Sequence, residues 1–115
     1  MAGALMEFLT PEFPPVGEIF VTVRRGSRWG RWGSVALGDL VYLADNARPA
    51  DIHGVAELLA RTEGGPVSSI PPSWLAREHL PSCRTLEGLL SELKRCYSDF
   101  EDDHDVVALL MLRVK

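Results

Sequence analysis

The stretch "VTVRRGSRWGRWGS", residues 21–34, sets Arg24, Arg25, Arg28 and Arg31 beside Trp29 and Trp32 in a chain whose formal net charge is -4. Arginine forks neutralise phosphates, indole faces stack on bases, and glycines such as Gly26, Gly30 and Gly33 let a ligand approach the main chain. Thr22, Arg24, Arg28, Trp29, Arg31 and Trp32 therefore form a candidate binding set for RNA or a nucleotide-like small molecule. A second arrangement uses the same residues without a ligand. In it the segment is a β-hairpin or Ω-type loop whose tryptophans cover one end of a barrel, while the arginines stack on them or pair with the acidic residues near Asp99–Asp105.

Thr22 carries a hydroxyl that becomes a nucleophile only when a neighbour takes its proton. Regular alternation along a strand puts Glu18 on the same face, so Glu18 is a candidate base. The acidic run Asp99, Glu101, Asp102, Asp103, Asp105 lacks the glycine and spacing of a calcium loop and reads as a solvated segment. His53, His79 and His104 show no metal-ligand spacing, and Cys83 and Cys96 match no zinc or redox motif. No metal and no cofactor are expected.

These groups need a scaffold. "IFVTVRR", residues 19–25, has strand character, with Ile19, Val21 and Val23 on one face and Phe20, Thr22 and Arg24 on the other. After the Gly38-Asp39 turn, residues 40–44 are apolar on both faces and predict a strand covered on both sides. Residues 51–62 fit a helix through Val55, Leu58 and Leu59 and also a strand weakened or bulged at Gly54, of which the strand is preferred. Ser73 is placed to cap a helix that Pro81 stops at Leu80. Thr85 caps a stronger helix, whose Leu86, Leu89, Leu90, Leu93 and Tyr97 form one apolar stripe. Residues 106–114 form a closing central strand. Residues 1–16, with Pro11, Pro14 and Pro15, read as an extended arm lying on a domain that spans 17–115. The order strand, strand, strand, helices, strand predicts an α+β domain whose sheet curls into a small barrel with flanking helices.

A length of 115 residues with 46% hydrophobic content suits one core and one domain. The negative net charge argues against a protein that coats nucleic acid through bulk charge and leaves room for a local basic site. No apolar run reaches membrane-spanning length, and the N-terminus lacks the positive start of a signal peptide, so a cytoplasmic protein with no membrane partner is expected. The apolar arm leaves a protein-interaction adaptor as another role.

In order and landmarks the chain resembles the ASCH domains of the PUA-like superfamily. The residues that carry this are "GEIFVTVRRG" (17–26), "GDLVYL" (38–43), the helix over 85–97 and the final apolar strand. The resemblance implies a PUA-like β-barrel with flanking helices, a cleft containing Thr22 and Arg24, and a module that binds RNA or a nucleotide-like molecule. Some bacterial members are amidohydrolases acting on acylated cytidine, with a threonine nucleophile, a lysine and a glutamate. Thr22 matches that threonine, Ile19 stands where the lysine would be, and the glutamate position falls near Ser82, with Glu78 the nearest carboxylate.

Overall fold

Alternating apolar residues produce five strands in a computed structural model, which describes residues 4–26, 35–62, 64–102 and 105–115. They are β1 (Ala4–Phe8), β2 (Ile19–Arg25), β3 (Leu40–Asp45), β4 (Ile52–Arg61) and β5 (Val107–Val114), accompanied by helices α1 (Pro72–Leu75) and α2 (Leu86–Cys96). The strand order is β1-β3-β4-β5-β2, with β1 parallel to β3 and the other pairs antiparallel.

β1 and β2 are opposite ends of that order, yet Phe8 and Phe20 lie 6.5 Å apart and Arg24 Nη1 donates to Glu7 O at 2.7 Å. The sheet therefore curls into a half-barrel. Its concave face holds Met6, Phe8, Phe20, Leu43, Leu58 and Leu110 in one core. Burying a side chain of this size contributes about 1.5–3 kcal/mol, so even the short β1 is firmly held by Met6 and Phe8. The N-terminal segment, expected as an arm lying on the body, thus supplies a strand of the sheet itself.

On the convex side, Val21, Val107 and Leu109 meet Leu75, Cys83, Leu89 and Leu93 in a second core. Both helices belong to the connection from β4 to β5, which lays them over β5 and β2 only. β5 is consequently covered on both faces. β3, expected to be so, buries Val41 and Leu43 on one face but leaves Tyr42 exposed on the other.

The expected weakness at Gly54 is present: Leu43 pairs with Gly54 and Ala44 with Ile52, so His53 is the extra residue of a bulge. α2 begins as the sequence predicts, with Thr85 Oγ1 accepting from Gly88 N at 3.1 Å. α1 does not match its expectation. It starts after Pro71, without a side-chain cap from Ser73, and ends at Leu75. The competing force is the open edge of β2: Val21 N donates to Arg77 O at 2.7 Å and Val21 O accepts from His79 N at 3.0 Å, which draws residues 77–79 out of the helix.

Candidate functional site

The edges of β1 and β2 are not paired with each other, and residues 77–79 lie along the β2 edge, bonded to Val21. Beside β2 lies a cavity of about 310 Å³ lined by Thr22, Val23 and Arg24 of β2, the end of β1, Glu78 and His79, and the Glu92 and Cys96 side of α2. Thr22 and Arg24 reach it because period two turns them inward, toward the core that also holds Phe20.

Glu78 is 3% exposed and Thr22 2%. A buried carboxylate needs hydrogen-bond partners. Glu78 Oε1 accepts from Leu80 N at 2.9 Å, which fixes the chain as it leaves β2. His79 Nδ1 stands 2.7 Å from the same oxygen but outside hydrogen-bond geometry. Its ring is enclosed by Phe8 at 5.1 Å, Phe13 at 6.0 Å and Phe20 at 6.1 Å, so it forms an aromatic wall of the site.

Arg24 has two roles. Its guanidinium stacks 4.3 Å over Phe8 while holding Glu7 O, which joins the two sheet edges beside the cavity. Replacing it would therefore disturb the fold as well as any ligand contact. Arg25 points elsewhere: it pairs with Asp99 at 2.9 Å and Asp105 at 3.1 Å and lies over Tyr97 and Phe100. One member of the arginine-rich stretch is thus matched with the acidic run. Arg28, Trp29, Arg31 and Trp32 lie outside the described residues.

Asp99 is held below the usual aspartate range first by the Arg25 hydrogen bond, and Asp105 first by the Glu101 N–H. A carboxyl depressed on folding contributes stability that is complete above its unfolded value and fades as pH falls through the folded one. Melting temperatures of the wild type and Arg25→Gln should therefore differ at pH 7 and converge below about pH 4. A gap that persists unchanged to pH 3 would mean that these ion pairs do not contribute to stability.

Glu18 is exposed and lines a separate groove with Arg77 and Arg84. Four residue steps along the chain separate it from Thr22, about 13 Å, and Phe20 stands between them. Of the three candidate catalytic residues, the fold brings Thr22 and Glu78 to one cavity and leaves Glu18 outside it.

Burial pushes the Cys83 thiol up to about 11, with Glu78 adding to the effect, and burial raises the Cys96 thiol as well. Both stay protonated near neutral pH and are poor nucleophiles. The Glu92 carboxyl is held below its usual range by Arg95. Among the described residues, the cavity lining includes three glutamates, Glu7, Glu78 and Glu92, and one arginine, Arg24. Such a wall receives N–H donors well and repels phosphate. Among the described residues, no group of three His, Cys, Asp or Glu side chains is arranged to hold a metal ion, and no helix is long and apolar enough to cross a membrane.

No protein-family model matches the chain, and neither does any curated protein or solved structure.

Proposed function

We propose that the chain is a PUA-like module of ASCH type that binds a nucleoside-like small molecule in the cavity beside β2. The observation that carries this reading is the convergence of Thr22, Arg24 and Glu78 on one cavity of about 310 Å³, a size suited to a small ligand. The curled sheet with helices on one side is compatible with the barrel that the resemblance implies. The carboxylates of the lining and the net charge of -4 favour an uncharged base and sugar over a polyanion such as RNA.

Calorimetric titration with uridine, cytidine and their 5′-monophosphates tests the reading. Binding of at least one nucleoside is expected, with the monophosphate weaker. Thr22→Val, which keeps shape and strand propensity, should reduce affinity several-fold while the melting temperature stays nearly constant. Absence of binding by every nucleoside at millimolar concentration would reject the proposal.

A second reading is an amidohydrolase acting on an acylated cytidine, favoured by the placement of Thr22 and Glu78 on the same cavity. Thr22 Oγ1 would attack the acyl carbon as Glu78 takes its proton, Glu78 would return that proton to the exocyclic nitrogen of cytidine as the C–N bond breaks, and water would then hydrolyse the threonyl ester. Release of cytidine from the acylated nucleoside, followed by chromatography, is the test, and turnover that survives in Thr22→Val excludes this nucleophile.

A further inference from the structure

β2 is an edge strand, and its peptide groups alternate between β5 and the outside. Val114 N donates to Glu18 O and Gly26 N donates to Val106 O, so the even-numbered positions face β5. Leu109 stands opposite Val23 but directs both its groups away from β2: its N–H donates to Thr62 Oγ1 at 3.0 Å, and its C=O accepts from Thr62 N at 2.9 Å. The N–H and C=O of Val21, Val23 and Arg25 therefore point outward from the sheet.

The three outward pairs differ in what they meet. Those of Val21 are taken by Arg77 and His79. The chain then leaves β2 at residue 80, and the next outward pair, that of Val23, comes at a residue lining the cavity. Among the described residues, neither Val23 group has a hydrogen-bond partner across this edge. A strand residue facing outward offers a donor and an acceptor in one plane, the pattern that one residue presents to its partner across an antiparallel ladder. Main-chain groups in such a place are satisfied by water or by a ligand.

We propose that the main-chain N–H and C=O of Val23 are the donor and acceptor that grip the edge of a cyclic amide, a ring bearing an N–H next to a C=O. This rests on the reading of the cavity as a nucleoside-like site and names the edge by which the ligand is held. An extended peptide adding to the sheet needs successive outward pairs. Here Val21 is occupied and Arg25 lies beyond the cavity, so a single donor–acceptor couple is offered. A single ring matches it.

Amide-resolved NMR on the full chain tests this, with 2-pyridone, N-methyl-2-pyridone and uridine as probes. In the free protein the Val23 amide should exchange with deuterium much faster than those of Thr22 and Arg24, which face β5. Adding 2-pyridone should shift the Val23 amide and slow its exchange, and blocking the ring nitrogen should weaken binding roughly 10-fold. The proposal is overturned by a Val23 amide already protected in the free protein, by pyridone binding that leaves it unmoved, by equal affinity of the N-methyl compound, or by no binding of either pyridone or uridine. A peptide that protects Val23 and Arg25 together in place of the ring also overturns it. Pyridone engaging Val23 while no nucleoside binds supports the contact and removes the nucleoside reading. Uridine binding with Val23 undisturbed does the reverse.

Discussion

Gly88→Ala should lower the melting temperature by roughly 10 °C or more, a loss of about 2–3 kcal/mol. Helix propensity predicts the opposite sign, since alanine is favoured over glycine by about 1 kcal/mol inside a helix. Close approach decides the outcome. A Cβ at Gly88 would collide with the carbonyl oxygen of Ser82, and that atom belongs to the backbone of the 3₁₀ turn Pro81–Cys83 that packs on α2. Relief requires α2 or the turn to move, which would separate Cys83 from Leu89 and Leu93 in the convex core. The same Cβ would press on Thr85 Oγ1, the cap of the helix. Thermal unfolding measured by circular dichroism checks this, and a variant as stable as the wild type would show that α2 does not sit this tightly.

The second large effect concerns the ligand. Glu78→Gln should weaken binding of an N–H-donating nucleoside roughly 10–100-fold while changing stability by about 1 kcal/mol or less. The amide keeps the shape of the carboxylate, and its oxygen can still accept from Leu80 N, the bond that holds the chain where it leaves β2. The amide's NH₂ would replace one carboxylate oxygen, turning an acceptor into a donor. Paired calorimetry and melting curves separate the two effects. A large drop in stability would instead mark Glu78 as mainly a structural anchor, and unchanged affinity would remove it from the site.

β2 and β5 were legible in the sequence because each combines β-branched residues with turn signals on both sides, and α2 because its cap and stripe agree. β1 was hidden: only Met6 and Phe8 point inward from a five-residue strand, and the prolines that follow imply a loop. The helix expected up to Leu80 looked sound locally, and no local pattern reveals that Val21 takes residues 77–79 as edge partners. The site was legible to a similar degree. Period two turned Thr22 and Arg24 toward one cleft, but the alternation that placed Glu18 beside them ignored the length of chain and Phe20 between. Glu78 entered through the family resemblance alone. His79 was one of three scattered histidines, and its aromatic enclosure depends on Phe8, Phe13 and Phe20 meeting across a closure between distant strands. Glu92 and Cys96 lie one helical turn apart, a spacing that marks a shared face of α2 without saying what that face meets.

A crystal structure of the protein soaked with the nucleoside that binds best tests the central claim most directly. The base is expected between β2 and Glu78, within hydrogen-bond distance of Thr22 and of the Glu78 carboxylate. A base found instead against Trp29 or Trp32, with the cavity beside β2 unoccupied, would contradict the account and return the binding role to the arginine- and tryptophan-rich stretch.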